Sequence, residues 1–369
     1  MIIGIDASRA NTDHRTGTEW YSYFVIQELK KIIPAEHTVR LYSKEPLKSD
    51  LLPLPANWEN RVLGWKPGKF WTQLRLSIEM ILHRPDVLYV PAHTIPIVSP
   101  KKTVTVIHDV GFIEAPELYS QSELSYHNWS FRLAIKKAAH IITISNFSYN
   151  AIANIAPEIV SHLTRIYNGL HVRGGEADTR ILERFALQGK TILLTISRVE
   201  EKKNSHRVVE AFAQYKNTHP GDDVVLVFAG GFGFGAEALR QFVKDRGLEK
   251  SVIFTDYVSD NEIVALLQAA RAFVFPSLYE GFGMPVLEAM RYDVPVICSD
   301  IPSLREVAGD AAVFFNPKST DAIAEAIERE LSHPEKSQEK IAAGHKQAES
   351  FSWQKTANET WDIIKSVSV

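Results

Sequence analysis

The strongest constraint on the fold is an alternation of short apolar, β-branched segments with longer segments of helical periodicity, which runs through the chain twice. Apolar strands that alternate with helices are typical of parallel sheets covered by helices on both faces. A polar stretch at residues 173–178 separates the two runs. Strands are predicted at residues 2–5, 38–42, 87–90, 103–107 and 141–144, and then at 191–196, 224–229, 252–255, 272–276 and 294–298. Helices are predicted at residues 20–33, 122–139, 205–216, 236–245, 261–270, 285–291 and 320–331.

Two such runs predict an α/β fold of two doubly wound domains, at residues 1–170 and 171–350. A chain of 369 residues has the length for two domains of this kind. Ligands of doubly wound sheets lie beyond the carboxyl ends of the strands. We therefore expect the functional residues in the loops that follow strands, at a cleft between the domains.

Composition narrows the class of protein. The formal net charge of −3 is not the basic balance of a general nucleic-acid binder, so no nucleic-acid partner is expected. Cys298 is the single cysteine, which excludes an internal disulfide and favours a reducing compartment. Neither a secretory signal nor an apolar run of about 18 residues is present, which favours a cytoplasmic location.

The charges are divided unequally along the chain. Residues 1–170 hold 18 Lys and Arg against 15 Asp and Glu, a net charge of +3, and the remainder holds 23 against 29, a net charge of −6. Such a division indicates either that the first half meets an anionic partner or that charge has drifted at random.

The segment 275–290 has the richest pattern, since it follows a predicted strand and opens a predicted helix. Gly281 and Gly283 allow backbone N–H groups to approach a ligand, and a helix N-terminus attracts anions. Glu280 lies before this helix and Glu288 about one turn inside it, so both could reach one ligand. The alternative is that Glu280 only stabilises the helix dipole and that Glu288 lies on a solvent-exposed face.

This segment resembles the paired-glutamate motif of retaining GT-B glycosyltransferases, most closely glycosyltransferase family 4. Three more segments resemble that family in the same chain order: a first loop with Gly17, a His-Asp pair with His108 after a strand, and a strand followed by Arg198 and Lys203. The loop that contains Gly17 departs from the family pattern, because a second glycine is missing and Thr16 or Thr18 takes its place. The resemblance implies a GT-B fold, with two Rossmann-like domains facing across a cleft.

The resemblance also implies a role for each domain and for the C-terminal segment. The N-terminal domain would bind the acceptor and the C-terminal domain the nucleotide-sugar donor. Residues 351–369 would form a helix that packs back on the N-terminal domain. A cysteine-based metal cluster is excluded and the histidines lack ligand spacing, so neither a metal nor another cofactor is expected.

The catalytic residues implied by the resemblance are His108, Arg198, Lys203 and Glu280. Cleavage of a nucleotide sugar builds negative charge on a diphosphate, which fixed cations such as Arg198 and Lys203 would stabilise. Their alternative is ordinary surface charge, and His108 could instead be a structural histidine. The donor-binding residues implied are Gly17, Gly230, Gly231, Tyr257, Val258, Gly281, Phe282, Gly283, Met284 and Glu288.

Two segments allow other interpretations. The glycines at 230–235 follow a strand, but their spacing does not match the Gly-x-Gly-x-x-Gly of a dinucleotide site. Segment 65–84 sets aromatic and basic residues beside an apolar helix, and it could contact an anionic membrane. It could equally be a core helix in which Trp71 and Gln73 line the acceptor cleft.

The expected function is transfer of a sugar from a nucleotide-sugar donor to a hydroxyl of a surface glycan or lipid-linked oligosaccharide, in polysaccharide or lipopolysaccharide biosynthesis. Residues 108–116 look most like bacterial family members that transfer mannose, so GDP-mannose is the first candidate donor. The alternatives are a nucleotide-sugar epimerase and a non-catalytic two-domain ligand-binding protein. The expected location is cytoplasmic, with peripheral contact at the inner face of the membrane.

Overall fold

The computed structural model describes residues 1–233 and 235–368, and the chain divides into two compact units. The first unit consists of Met1–Gly169 together with the C-terminal segment that begins at Phe351. The second unit consists of Leu170–Ser350.

A seven-stranded parallel sheet forms the centre of the first unit. Its strands are β1 (Ile2–Asp6), β2 (Thr38–Ser43), β3 (Trp58–Val62), β4 (Val87–Val90), β5 (Thr103–Ile107), β6 (His140–Thr143) and β7 (Leu163–Arg165). The spatial order is β3-β2-β1-β4-β5-β6-β7. The order therefore reverses between β1 and β4, because the chain first adds strands on one side of β1 and then on the other. Every residue of β4 and β5 is buried, as expected for strands covered on both faces.

Helices cover this sheet, and local side chains fix where the longest of them begin. The helices are α1 (Gly17–Ile32), α2 (Leu76–Leu82), α3 (Gly111–Glu114), α4 (Gln121–Lys137) and α5 (Asn146–Ile155). At the start of α1, the Glu19 carboxylate accepts a hydrogen bond from the Thr16 backbone N–H at 3.2 Å. At the start of α4, Ser120 and Glu123 form a complete capping box. A π-helical turn at Trp71–Arg75 leads into α2.

The second unit repeats this design with a six-stranded parallel sheet. Its strands are β8 (Thr191–Ile196), β9 (Val224–Ala229), β10 (Val252–Asp256), β11 (Ala270–Phe275), β12 (Val296–Ser299) and β13 (Ala312–Phe315), in the order β10-β9-β8-β11-β12-β13. Its helices are α6 (Arg180–Arg184), α7 (Ser205–Thr218), α8 (Ala236–Asp245), α9 (Asp260–Ala269), α10 (Met284–Arg291), α11 (Pro302–Ala308), α12 (Thr320–Ser332) and α13 (Ser337–Glu349). The two parallel sheets confirm the predicted α/β class.

The last helix, α14 (Trp353–Ser368), belongs to the first unit. Its Trp353 ring stacks on Phe24 of α1, with 5.1 Å between the ring centroids. The Thr356 hydroxyl donates to the Tyr167 carbonyl at 2.6 Å. A Cβ at Gly169 would lie 2.2 Å from the Trp353 backbone nitrogen, so only glycine fits where the chain leaves the first unit.

Segment 65–84 has two faces of opposite character. Trp71 and Gln73 are buried, as the core interpretation predicted. The outward face carries exposed apolar side chains that recur at helical spacing, and we call this set the apolar stripe. It consists of Phe70, Leu74, Ile78, Ile81 and Leu82, with Phe70 59% and Ile81 61% exposed. Within the part of the chain that the structure describes, no helix is both long enough and apolar enough to cross a bilayer.

Candidate active site

Loops at the carboxyl edge of the second sheet bring two of the predicted catalytic residues into contact. Lys203 ends a 3₁₀ turn after β8, and Glu280 lies in the loop between β11 and α10. The Lys203 ammonium donates to Oε1 of Glu280 at 2.6 Å. Because 77 positions separate the two residues, the parallel order of β8 and β11 is what makes this pair.

Asn204 fixes the Lys203 loop in place. Its backbone is left-handed, with a φ of 57°, which ends the 3₁₀ turn immediately after Lys203. Its side-chain amide donates to the carbonyls of Pro276 at 3.0 Å and Pro317 at 2.8 Å. The neighbouring Lys202 carbonyl accepts from the Leu278 N–H at 2.9 Å. The Lys203 loop is thus joined to the Glu280 loop by backbone and amide contacts as well as by the ion pair.

Arg198 follows β8 and extends into solvent, with 55% of its side chain exposed. Its guanidinium lies 3.9 Å from the Glu200 carboxylate, which is a loose contact. The backbone next to Arg198 is held more firmly than its side chain, because the Val199 N–H donates to the Gly231 carbonyl at 3.0 Å. The structure therefore places Arg198 on the same sheet edge as Lys203 and leaves its side chain accessible.

Gly230 and Gly231, adjacent in the loop after β9, are under different constraints. Gly230 has a φ of 145°, and a Cβ there would lie 2.3 Å from the Ser197 carbonyl oxygen. Gly230 is therefore required by the protein's own packing. At Gly231 the nearest atom to such a Cβ is a carboxylate oxygen of Asp256 at 3.7 Å, an ordinary contact. A Cβ at Gly231 would therefore fit among the described residues without displacing them.

Two predicted donor-binding residues lie just beyond β10. Tyr257 is 53% exposed, and its N–H donates to the Asp256 side chain at 2.8 Å. Val258 is buried. The Asp256 carbonyl accepts from the Gly230 N–H at 3.1 Å, so this loop is joined to the glycine loop after β9.

The start of α10 is a buried turn that only glycine can make. Gly283 has a φ of 108°, and a Cβ on it would lie 2.5 Å from a methyl group of Leu304. Gly281, Phe282 and Met284 are buried around it. The backbone N–H groups of the first helical turn have no partner within an α-helix, so this end suits an anion.

Glu288 is 2% exposed, and the interpretation that it lies on a solvent-exposed face is wrong. Its Oε2 accepts hydrogen bonds from Nε and Nη2 of Arg173, at 2.9 and 2.8 Å. Its Oε1 lies 3.3 Å from Nδ1 of His171. Burial by itself would raise the pKa of Glu288, but the Arg173 charge and these contacts hold it below its ordinary value. The carboxylate is therefore ionised at neutral pH.

Arg173 is the residue of this site that sequence reasoning missed. Its guanidinium also pairs with Asp260, and its carbonyl accepts from the Tyr292 hydroxyl at 3.1 Å. The sequence at residues 173–178, which contains Arg173, indicates only a domain boundary. No local signal could have found it, since Asp260 and Glu288 lie 87 and 115 positions away.

In the first unit, His108 follows β5 and is enclosed by protein. Its Nε2 lies 3.3 Å from the Pro91 carbonyl, and the Tyr21 ring meets it edge-on at 4.9 Å. Burial lowers the pKa of His108, against the opposing effects of the Pro91 carbonyl and Asp109. Its imidazole is therefore neutral at physiological pH. Gly17 lies at the first position of α1.

No cluster of three or more His, Cys, Asp or Glu side chains that could hold a metal ion occurs within residues 1–233 and 235–368.

Two parallel-sheet units with functional loops at the carboxyl edges define the GT-B class of fold. Residues 179–347 match the family described as Glycosyl transferases group 1. O-antigen chain mannosyltransferase B of Escherichia coli is 30% identical over 300 residues, which are 79% of this chain and 76% of that relative. The mannosyltransferase RfbU of Salmonella typhimurium is 30% identical over 72% of this chain and 70% of its own. The chain belongs to the group 1 glycosyltransferases, and it is an enzyme of that class.

A solved structure confirms the fold. The Anabaena protein HepE, determined in complex with UDP and glucose, superposes with a TM-score of 0.76. The alignment covers 99% of both chains at 19% identity.

Proposed function

We propose that this enzyme is a retaining mannosyltransferase, which moves mannose from GDP-mannose to a hydroxyl of a surface-glycan or lipid-linked oligosaccharide acceptor. The observation that carries the proposal is the Lys203–Glu280 pair before α10, in a chain whose relatives are named O-antigen mannosyltransferases. The HepE complex with UDP and glucose supports a nucleotide-sugar donor.

The negative charge of the diphosphate leaving group accounts for the presence of Arg198 and Lys203 at the site. When the bond from the sugar C1 to the diphosphate breaks, negative charge builds on a phosphate oxygen. Arg198, whose guanidinium is accessible, and Lys203, 2.6 Å from Glu280, would donate to these oxygens. A new bond forms between C1 and the acceptor oxygen, and the acceptor proton passes to the departing diphosphate. This arrangement uses neither a metal nor a protein base.

The carboxylates and loops would position the donor. Glu280 would accept hydrogen bonds from hydroxyls of the sugar while it holds Lys203. Glu288 is held by Arg173 through Oε2, and its Oε1, which also lies 3.3 Å from Nδ1 of His171, would accept from the ribose hydroxyls. In the first unit, neutral His108 directs its Nε2–H at the Pro91 carbonyl, so its Nδ1 would accept a hydrogen bond from a sugar hydroxyl.

The nearest rival is a nucleotide-sugar epimerase of the same fold, since membership of an enzyme family sets aside the non-catalytic ligand-binding protein. NMR of products from GDP-mannose, with and without a mannose-terminated oligosaccharide, distinguishes the two enzymes. Transfer predicts an acceptor-dependent α-mannoside and release of GDP. A new nucleotide sugar formed from the donor alone would establish the epimerase, and a β-linked product would overturn retention.

Peripheral contact with an anionic membrane is part of the proposal. The apolar stripe supplies a face that could enter the interface between lipid head groups and acyl chains. Lys66, Lys69 and Arg84 are exposed on the same segment, with charge opposite to that of anionic lipids. The net charge of +3 over residues 1–170 has the sign that such a surface requires.

A further inference from the structure

Arg173 lies between two carboxylates of the second unit. Its Nε and Nη2 donate to Oε2 of Glu288, at 2.9 and 2.8 Å, and its Nη1 donates to Oδ1 of Asp260. Only 10% of the Arg173 side chain is exposed. An arginine fork fixes a carboxylate in direction as well as in charge. The guanidinium therefore sets the orientation of Glu288.

The backbone around Arg173 is held by the two helices that carry those carboxylates. The Arg173 carbonyl accepts from the hydroxyl of Tyr292, which directly follows α10, at 3.1 Å. The Asp178 N–H donates at 3.0 Å to the carbonyl of Asn261, in the first turn of α9. A Cβ at Gly175 would lie 2.2 Å from the Asn261 side-chain oxygen, so the segment between these two anchors fits tightly against α9. The guanidinium is thus presented from a fixed stretch of backbone.

The charges of this group suit a neutral ligand with hydroxyl donors. Arg173 and the two carboxylates that it joins, Glu288 and Asp260, together carry one net negative charge. Such a group accepts hydrogen bonds and repels a phosphate, whereas the Lys203 side of the site has the opposite character. A sugar diol is therefore the part of a nucleotide that fits here.

The two oxygens of Glu288 are unequal. Oε2 accepts both Arg173 bonds, whereas Oε1, 3.3 Å from Nδ1 of His171, is the oxygen proposed to accept from the ribose. Because the carboxylate is buried and held in place, it cannot turn to find another donor when a hydroxyl is missing. A buried acceptor that loses its donor weakens binding strongly, and a ligand that lacks the hydroxyl is rejected.

We propose that Arg173 is a positioning residue that makes the donor site selective for ribonucleotides over 2′-deoxyribonucleotides, because it holds Glu288 with Oε1 toward the ribose. The inference rests on the proposed function in one respect, since it takes Glu288 as the residue that accepts from the ribose hydroxyls. It is independent of the base and of the sugar that is transferred.

The test measures binding of nucleoside diphosphates by isothermal titration calorimetry. The ligands are GDP, 2′-deoxy-GDP, UDP and 2′-deoxy-UDP, and the variants are Arg173→Lys, which keeps the charge but loses the planar fork, and Arg173→Gln. The matched control is Arg271→Lys. Arg271 also pairs with a buried carboxylate, that of Glu330 at 3.3 Å, but it lies at the start of β11, on the opposite edge of the sheet from the candidate site.

The readout is the ratio of ribonucleotide to deoxyribonucleotide affinity, because a general loss of structure weakens both members of a pair. We expect the wild type to prefer the ribonucleotide by about tenfold or more. Arg173→Lys and Arg173→Gln should lower the ratio to about threefold or less, mainly by weakening the ribonucleotide. Arg271→Lys should keep the wild-type ratio.

Glu288→Gln shows whether Arg173 acts through Glu288. We expect Glu288→Gln to lower the ratio by itself, and Arg173→Lys to add nothing further in that background, as for two residues that serve one contact. Additive losses in the double variant would overturn the positioning role.

The remaining outcomes separate this inference from the proposed function. A wild-type ratio near one would overturn the inference together with the assignment of Glu288 to the ribose. An unchanged ratio in both Arg173 variants, or an equal loss in Arg271→Lys, would overturn the role of Arg173 and leave the proposed donor intact. Tighter binding of UDP than of GDP would overturn GDP-mannose as the donor, and the inference would stand if the UDP ratio depends on Arg173. Binding of neither GDP nor UDP would overturn both.

Discussion

The two units share a parallel-sheet design, but the loops at their carboxyl edges hold charge differently. In the second unit the buried carboxylates are ion-paired, Glu280 with Lys203 and Glu288 with Arg173. In the first unit His93 and His108 are partly buried and neutral, and the Lys44 side chain after β2 is exposed. The candidate site of the second unit is therefore preorganised around fixed ions, whereas the first unit keeps positive charge accessible to a ligand.

The sequence supplies a separate probe for each unit. All seven tryptophans fall within residues 1–169 and 351–369, so selectively excited tryptophan fluorescence reports on the first unit. Cys298, the single cysteine, is buried on β12 of the second unit. Its reaction with a thiol reagent reports opening of that unit.

The largest effect should come from breaking the buried ion pair in the second unit. Arg173→Ala leaves the Glu288 carboxylate buried without its main partner, which typically costs about 3–5 kcal/mol. We expect Cys298 to be labelled at markedly lower urea concentration, while the tryptophan transition of the first unit is unchanged.

Two further variants check the cause. Arg180→Ala removes an exposed partner of Asp178 and should leave Cys298 labelling unchanged. Glu288→Gln added to Arg173→Ala removes the unpaired charge and should restore part of the protection. Coincident labelling curves for Arg173→Ala and the wild type would show that the pair does not stabilise the unit.

Next in size is the loss of the Lys203 cation. Lys203→Ala should lower kcat by about 10²–10³, as when one preorganised donor is removed from a site of developing negative charge. The measurement is GDP release at saturating GDP-mannose and acceptor. Lys250→Ala, at an exposed lysine before β10 on the other edge of the sheet, should retain full kcat. Full activity in Lys203→Ala would refute its role in catalysis.

The central strands of both sheets were predictable from sequence, and edge strands were the weak point. Predicted bounds for β4, β5, β8 and β9 match the structure, because each is a segment rich in apolar and β-branched residues that its neighbours bury. The three strands without a prediction are β3, β7 and β13, and each lies at the edge of its sheet. In β3 the sequence is Trp-Glu-Asn-Arg-Val, which has no apolar run to detect.

The site residues that could be predicted are likewise those with a signal in their own segment of the sequence. Lys203 and Glu280 were identified because each follows a strand within its own segment, and resemblance supplied their roles. Arg173 was not identified, since its partners Asp260 and Glu288 come from distant parts of the chain. Only the three-dimensional order of the strands brings these groups together.

The apolar stripe should govern the membrane contact of the first unit. Ile78→Asn with Ile81→Asn should lower partitioning into vesicles of equimolar phosphatidylglycerol and phosphatidylcholine by about tenfold or more, because a fully buried Ile contributes about 1.5–3 kcal/mol. Sedimentation with vesicles measures the bound fraction. Val172→Asn changes an exposed valine of the second unit and should have no effect. Unchanged partitioning of the double variant would refute the membrane face.

The smallest expected effect is on the pH dependence of stability, and it concerns the neutral imidazoles of the first unit. Burial, with His127 and His108 nearby, lowers the pKa of His93 to about 3. Below about pH 6.5 the unfolded chain therefore takes up a proton that the folded chain does not, so stability is complete above this pH and declines as the pH falls. The decline from His93 approaches but does not exceed about 1.4 kcal/mol per pH unit.

Urea unfolding followed by tryptophan fluorescence, at about pH 7 and at about pH 5, measures this decline in the first unit alone. His93→Gln should flatten the pH dependence, because a glutamine has no proton to take up. His206→Gln, which alters an exposed imidazole on α7 of the second unit, should leave it as in the wild type. An equal decline in His93→Gln and the wild type would mean that the acid sensitivity of the first unit arises elsewhere, and the contrast with the ion-paired second unit would lose this support.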